Sequence, residues 1–355
     1  MNDTVRVPRV DGAPSPALRF PAPLRPGDRI GVTSPSSGAS GAAAERVAFA
    51  VRWLEERGHP VTVGQCMDGS GHVSAPKAER AAELTAMLID PTIRAVVPPW
   101  GGETAIDLLD QLDFDAIAAA EPTWLVGYSD LSTILLPLTL RTGWATLHGD
   151  NLADTPYEVP DGLVHWLDLA AATGEVTQRD SGRIDTWVRF EEGPEAPRAT
   201  EWRRVGSGAW SLHGAERLDV TGRLVGGCLD TVAHLVGTPF GDVAGFGRAR
   251  AADGLVVYLE VCDANPFDVA RMLHGMRYAG WFTHARALLM GRTSAEDAES
   301  LTQHGAVLDA VGMLDLPVVF DLEIGHVPPH LPLVNGALAR VVVDGDRREI
   351  HQRLA

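Results

Sequence analysis

The stretch TWLVGYSDLSTILLPLTLR, residues 123–141, contains a strand, a turn and a helix in direct succession. Thr123 to Val126 is apolar enough for a buried strand, and Leu131 to Arg141 is typical of a helix. Between them, Gly127-Tyr128-Ser129-Asp130 places a serine hydroxyl on a strand-to-helix turn, beside the free N–H groups that begin the helix. This position suits a nucleophile with an oxyanion site next to it.

A simpler interpretation of the same turn is structural. Ser129 or Asp130 is also a good helix cap, which is a common use of both residue types. The turn is not G-x-S-x-G either, because Leu131 stands where the second glycine would be. The residues alone therefore leave a nucleophile and a cap both open.

Strands and helices alternate on the N-terminal side of this segment. The predicted strands cover residues 29–33, 61–63, 93–97 and 123–126, followed by 145–148, and the predicted helices cover 42–57, 78–89 and 131–141. Trp100-Gly101-Gly102 opens a further predicted helix near Glu103, and its glycines expose N–H groups that suit an anion or simply a tight turn. This alternation predicts a mainly parallel sheet covered on both faces.

The C-terminal side resumes the alternation after an irregular stretch. Residues 154–218 are rich in Pro, Gly, Glu and Arg and hold four of the nine tryptophans, which indicates a connection with surface loops. Helices are then predicted at 229–236 and 266–278, strands at 256–260, 287–290 and 317–320, and a hairpin at 338–343 and 347–353. The sequence predicts an α/β protein with an N-terminal domain at 1–153, a connecting segment at 154–218 and a C-terminal domain at 219–355.

Composition excludes several classes of partner. The net charge of −17 disfavours binding to nucleic acid or to an anionic membrane. Three widely spaced cysteines give no disulfide framework, and Met1 to Pro26 has no apolar core of a signal peptide. Because no run approaches the ~18 apolar residues of a membrane span, we expect a cytoplasmic protein.

Two further residues are candidates for chemistry. Glu260 ends the apolar strand 256–260, at the sheet edge where α/β proteins bind ligands, although a solvated glutamate is equally typical there. His326 lies in a loop made rigid by Pro328 and Pro329, and its alternative is an ordinary loop histidine. His326 and His330 have zinc-like spacing, but the prolines forbid the helix that would bring them together.

Several segments, in order along the chain, together resemble the serine LD-carboxypeptidase family. That family includes the muramoyl-tetrapeptide carboxypeptidases and the microcin C immunity peptidases. The segments that carry the resemblance are 26–31, 34–37, 101–102, 127–130, 146–149, 222–227, 237–239, 259–260 with 266–273, and 325–326.

The resemblance implies a catalytic apparatus. Ser129 matches the family nucleophile, Glu260 the triad acid and His326 the general base, and the backbone N–H groups of Gly102 and Asp130 match the oxyanion hole. It also implies a flavodoxin-like N-terminal domain, a smaller C-terminal α/β domain, a site in the cleft between them, a homodimer, and no cofactor or metal.

The implied reaction is hydrolysis of an amide near a free carboxylate, through an acyl-enzyme. We favour a peptidyl-nucleotide substrate of the microcin C type, in which Trp187 or Trp202 would stack on the base. A murein tetrapeptide is the alternative, with the tryptophans only packing the domain junction, and a non-catalytic peptide- or nucleotide-binding protein is a third. Val261 and the stretch 332–336 depart from the family pattern, so substrate choice stays open.

Overall fold

The computed structural model describes residues 16–250 and 252–354. Most of the segment Met1 to Pro26, predicted not to be a signal peptide, lies outside this range. The strands are β1 Arg29–Val32, β2 Val61–Val63, β3 Ile93–Val96, β4 Trp124–Gly127, β5 Thr146–His148, β6 Gly174–Arg179, β7 Ile184–Thr186, β8 Arg203–Gly206, β9 Ser211–His213, β10 Leu218–Cys228, β11 Leu255–Glu260, β12 Ala285–Gly291, β13 Val318–Leu322, β14 Leu333–Asn335, β15 Leu338–Asp344 and β16 Arg347–Leu354. The helices are α1 Gly41–Glu56, α2 Lys77–Ile89, α3 Phe114–Ala119, α4 Ser132–Thr142, α5 Trp166–Ala171, α6 Leu229–Val232, α7 Val243–Ala249, α8 Pro266–Tyr278 and α9 Gln303–Val311.

The first sheet has the strand order β14-β5-β4-β3-β1-β2. Strands β1 to β5 are parallel in the order 2-1-3-4-5, which is the flavodoxin-like order, and β14 adds antiparallel to β5. In such a sheet the order reverses between β1 and β3, so the loops that follow these strands form a ligand-binding crevice. The predicted nucleophile turn follows β4, directly beside that crevice.

The second sheet has eight strands in the order β6-β16-β15-β10-β11-β12-β13-β9. Its central strands β10 to β13 are parallel, and antiparallel strands extend it on both sides. Strand β11 is buried along its whole length, so its carboxyl end carries Glu260 into the interior. The fold is therefore the predicted mixed α/β arrangement, with two large sheets and a separate two-stranded one.

Helix α4 joins the two sheets. All of its residues except Arg141 are buried, because it packs against β5 of the first sheet and β10 of the second. A helix that is apolar on every face is stable only when it is enclosed in this way. Gly143, at φ 75°, ends the helix in the left-handed conformation that glycine adopts without a steric penalty. The segment quoted from the sequence thus fixes the nucleophile turn between the sheets.

Two local predictions are wrong. The helix expected near Glu103 is only a short 3₁₀ turn at Ala105–Leu108. Residues 154–218 are not only a connection with surface loops, since β6 and β9 form the two edges of the second sheet and β7 pairs with β8. Edge strands escape notice in a sequence because few of their side chains are buried. Within residues 16–250 and 252–354, no helix combines the length and apolar character needed to cross a bilayer.

Candidate active site

Ser129 has the backbone of an exposed nucleophile turn. It lies two residues after the end of β4 and has a φ of 65°, a left-handed conformation that is unusual for a residue other than glycine. The preceding residue is held in place because the Tyr128 N–H donates to Asn151 Oδ1 at 3.2 Å. Strained backbone of this kind is concentrated at functional sites. Ser129 thus has the backbone conformation that a tight strand-to-helix turn requires.

The structure brings Ser129, His326 and Glu260 together. His326 Nε2 lies 3.0 Å from Ser129 Oγ, and His326 Nδ1 lies 2.8 Å from Glu260 Oε2. The carboxylate can only accept, so in the neutral imidazole Nδ1 carries the proton it donates and Nε2 is left to accept from the serine hydroxyl. These three residues come from segments far apart in the sequence and form one continuous chain of hydrogen bonds.

Charge and burial shift the pKa values of His326 and Glu260 in opposite directions. Burial is the largest single effect on His326 and would lower its pKa, but the Glu260 carboxylate and the Cys262 thiol together raise that pKa above its usual value. Burial is likewise the largest effect on Glu260 and would raise its pKa, but His326, His148 and Cys228 together lower that pKa. Glu260 is fully buried, so the pair is electrostatically strong. The carboxylate stays ionised and favours the cationic form of the imidazole.

Glycines provide the space around the Glu260 carboxylate. Gly325 has a φ of 86°, and a methyl group on it would lie 2.2 Å from the carboxyl carbon of Glu260. A methyl group on Gly291 would lie 2.7 Å from Glu260 Cβ. Only residues without a side chain allow the β12 and β13 ends to approach the carboxylate this closely. The glycine beside His326 is therefore required by packing.

The loop after β3 closes over the nucleophile. A methyl group on Gly101 would lie 2.9 Å from the Asp130 nitrogen and 3.1 Å from Ser129 Oγ, so the loop is in contact with the turn. The side chain of Asp130 is buried and ties the turn to two neighbouring loops, since it accepts from Ser36 Oγ at 2.7 Å and from the Ala105 N–H at 2.9 Å. The Gly102 and Asp130 segments predicted to hold an oxyanion are thus neighbours.

Two buried histidines lie near Ser129, His326 and Glu260, and the sequence pointed only to His330, for its spacing from His326. Burial lowers the pKa of His148 to about 4, which keeps it neutral, and its Nε2 lies 4.0 Å from Glu260 Oε1. His330 is bonded through Nδ1 to Asp150, and the ring of Tyr128 lies against both His326 and His330. His326 and His330 therefore each have a carboxylate partner of their own.

The two tryptophans predicted to bind substrate lie next to each other. Trp202 is buried, with one ring face stacked on Tyr157 at a centroid distance of 3.8 Å. Trp187 is partly exposed, meets Trp202 edge to face, and donates from Nε1 to Asp154 Oδ1 at 3.1 Å. Trp202 also lies against the His330 ring, 5.4 Å between centroids, which links this aromatic group to the neighbourhood of Tyr128.

A cavity of about 560 Å³ lies at the carboxyl ends of β12 and β13. Its walls include Val261 and Val327, the residues that directly follow Glu260 and His326, but not Ser129, Glu260 or His326 themselves. Arg292 and Asp321 are among the polar residues that line it. Room for a small ligand therefore exists at the end of the second sheet where α/β proteins usually bind one.

The fold and the site together define a two-sheet α/β protein with a serine, a histidine and a glutamate in hydrogen-bonded succession. Models of the LD-carboxypeptidase N-terminal and C-terminal domains match residues 30–149 and 221–341. The chain therefore belongs to the LD-carboxypeptidase family, which is a family of peptidases, as the resemblance had predicted.

Individual relatives cover nearly the whole chain. The microcin C7 self-immunity protein MccF of Escherichia coli is 24% identical over 340 residues, 93% of this chain and 94% of MccF. A Bacillus subtilis protein named "Probable murein peptide carboxypeptidase" is 26% identical over 324 residues, 90% of each chain.

Solved structures share the fold. A mutant of MccF in complex with adenosine monophosphate superposes with a TM-score of 0.77 at 22% identity, covering 94% of this chain and 97% of that one. A MccF-like protein from Bacillus anthracis gives a TM-score of 0.78 at 21% identity, covering 95% of this chain and all of that one.

Proposed function

We propose that this chain is a serine carboxypeptidase that hydrolyses an amide bond near a free carboxylate through an acyl-enzyme. The observation that carries the proposal is the unbroken chain of hydrogen bonds from Ser129 Oγ through His326 to Glu260. A nucleophile, a base within reach of it and a group that orients the base are the parts that acyl transfer requires.

Each residue has a defined task in this mechanism. Ser129 Oγ attacks the carbonyl carbon while His326 Nε2 takes its proton, and the backbone N–H groups of Gly102 and Asp130 stabilise the oxyanion. The imidazolium then gives its proton to the leaving amine, and water releases the acyl group by the same steps in reverse. Glu260 holds the Nδ1–H tautomer and stabilises the cation that forms.

The contact between the loop after β3 and the nucleophile gives a sharp prediction. In Gly101→Ala the added methyl group fills space 3.1 Å from Ser129 Oγ, so we expect kcat to fall by roughly 10²–10³-fold, as when one oxyanion donor is lost. Gly71→Ala is the matched control, because a methyl group there meets nothing within 4 Å. Steady-state kinetics and urea unfolding separate catalysis from stability, and a wild-type kcat in Gly101→Ala would show that the loop does not limit the site.

We propose a peptidyl-nucleotide as the substrate. Solved complexes of MccF contain aspartyl sulfamoyl adenosine and glutamyl sulfamoyl guanosine, and that protein shares this fold over nearly its whole length. The partly exposed Trp187 offers an aromatic ring near the site, whereas one face of Trp202 is already covered by Tyr157. Of the two residues predicted from sequence, Trp187 is therefore the one we propose to stack on a base.

A comparison of two substrates tests this choice. We expect kcat/KM for an aminoacyl-sulfamoyl nucleoside to exceed that for a murein tetrapeptide. Trp187→Ala should then cost ~1–3 kcal/mol on the nucleotide substrate alone, with Trp187→Phe retaining most of the activity. Trp202→Ala is the paired variant, and its effect should fall equally on both substrates through packing.

The other outcomes identify the alternatives. A preference for the tetrapeptide, or equal losses on both substrates in Trp187→Ala, would support a murein peptide carboxypeptidase, the activity in the name of the Bacillus relative. Binding without cleavage of either compound would support a non-catalytic binding protein. We further propose domains at 1–153 and 219–355 joined by 154–218, a homodimer, and a cytoplasmic location, on the strength of the family resemblance.

A further inference from the structure

A thiol, a carboxylate and an imidazole meet at the carboxyl ends of β10 and β11. Cys228 is the last residue of β10 and pairs in register with Glu260 on β11, so both side chains arrive at the same edge of the sheet. Cys228 Sγ, a carboxylate oxygen of Glu260 and a ring nitrogen of His326 all lie within 4.8 Å of one another. The mechanism uses Glu260 and His326 and gives Cys228 no task.

These three donors are the types that zinc prefers. Thiolate, imidazole and carboxylate bind Zn²⁺ at about 2.0–2.3 Å in a tetrahedron, which places ligand atoms roughly 3.3–3.8 Å apart. The observed spacing therefore has to contract by only about 1 Å, which side-chain torsions supply. Glu260 Oε1 is buried and makes no hydrogen bond of ordinary geometry in the described part of the chain, and its neighbour His148 Nε2 lies 4.0 Å away.

The surroundings favour a cation. Asp230 adds a second carboxylate, with Oδ2 3.9 Å from Cys228 Sγ. Burial first, and then Glu260 and Asp230, raise the pKa of the Cys228 thiol, so without a metal it keeps its proton. The negative field that retains this proton also attracts a divalent ion that replaces it.

We propose that Cys228, Glu260 and His326 form a binding site for Zn²⁺ and that bound zinc inhibits hydrolysis. Binding releases one proton from the Cys228 thiol, and a second from His326 when its imidazole is cationic, and it uses the lone pair of one His326 ring nitrogen. The other ring nitrogen of the neutral imidazole then carries the proton, so no lone pair remains to accept the proton of Ser129. Inhibition rests on the function proposed above, whereas metal binding does not.

The second cysteine near the triad provides a matched control. The Cys262 thiol interacts with His326 but does not belong to the group whose atoms lie within 4.8 Å. Cys66 is a buried thiol beside Glu83, in the loop that follows β2, and serves as the remote control. The proposal thus makes Cys228 a zinc ligand and predicts that Cys262 and Cys66 are not ligands.

Metal binding is measured without any substrate. The full chain, freed of metal and kept reduced, is titrated with Co²⁺, whose bonds to thiolate give an intense near-ultraviolet absorption, and then with Zn²⁺ as competitor. We expect saturation at one ion per chain in the wild type and in Ser129→Ala. Cys228→Ser and Cys228→Ala should weaken binding about 100-fold or more, since even loss of an outer partner costs 10–100-fold. Cys262→Ser and Cys66→Ser should bind as the wild type does.

Hydrolysis in the presence of free Zn²⁺ completes the test. Wild-type activity should fall in step with zinc occupancy and return on addition of a chelator, while Cys228→Ala, with its fold checked by circular dichroism, should resist the metal. Absence of the thiolate absorption in the wild type, or its loss in Cys262→Ser instead of the Cys228 variants, would overturn the site. Full hydrolytic activity with zinc bound at every site would contradict the proposed inhibition. A chain with no hydrolytic activity at all would contradict the proposed function and leave the absorption to decide the metal site.

Discussion

Ser129→Ala should abolish turnover and leave the fold intact. Removing the nucleophile of a triad lowers kcat by a factor on the order of 10⁶, and the activity that remains comes from the oxyanion site and substrate binding. The fold should persist because the hydroxyl is partly accessible and its hydrogen bond is to His326, not to the core. Rates are measured on the tetrapeptide and on the aminoacyl-sulfamoyl nucleoside, with circular dichroism and urea unfolding on the same samples.

Covalent labelling gives a second readout of the same prediction. A fluorophosphonate should add one phosphonyl group to the wild type, seen as an increase in intact mass, and nothing to Ser129→Ala. The control is Ser70→Ala, which removes an exposed serine bonded to Asp68 and should label fully. Wild-type turnover in a folded Ser129→Ala variant would exclude Ser129 as the nucleophile. Absence of labelling together with tight substrate binding would favour the non-catalytic alternative.

The parts of the fold with strong hydrophobic periodicity could be predicted from sequence. Helix α8 was predicted at its observed bounds, and the closing hairpin of β15 and β16 within one residue, because their patterns contain their own start and stop signals. The β6 and β9 strands could not, since their partners are distant in sequence and little of their surface is buried. Likewise, nothing local to β14 shows that it joins the first sheet rather than the second.

The candidate site likewise has features that could be predicted from sequence and features that could not. Ser129 and Glu260 each stand at the end of a buried strand, and that position is visible in the local pattern. Their distance from His326 is a tertiary property, and so is the approach of Gly101 to Ser129. His148, which lies 4.0 Å from Glu260, carries no local signal, because a histidine inside an apolar strand resembles any core residue until its neighbours are known. Roles for these residues therefore rest on experiment.

The electrostatic pair at the base of the triad makes the last prediction. In Glu260→Gln a neutral amide replaces the carboxylate, so the imidazolium that forms during the reaction is no longer stabilised. We expect kcat to fall about 10⁴-fold, as in other triads that lose their acid. His326→Ala should be at least as severe. The double variant should be no slower than His326→Ala alone, because the two residues act through one proton transfer.

The pH dependence of kcat/KM shows whether Glu260 raises or lowers the pKa of His326. His326 must be neutral to act as a base, and Glu260 raises its pKa, so the acid limb of the wild-type profile should lie above pH 6.5, the ordinary value for a histidine. In Glu260→Gln the attraction is gone while burial remains, and burial lowers the pKa, so the limb should move to lower pH even as kcat falls. A limb that stays in place, or additive losses in the double variant, would mean that Glu260 does not act through His326. Opening the site to water would at most return the limb toward pH 6.5, so a limb that falls below pH 6.5 in Glu260→Gln reports burial that remains after the attraction is lost.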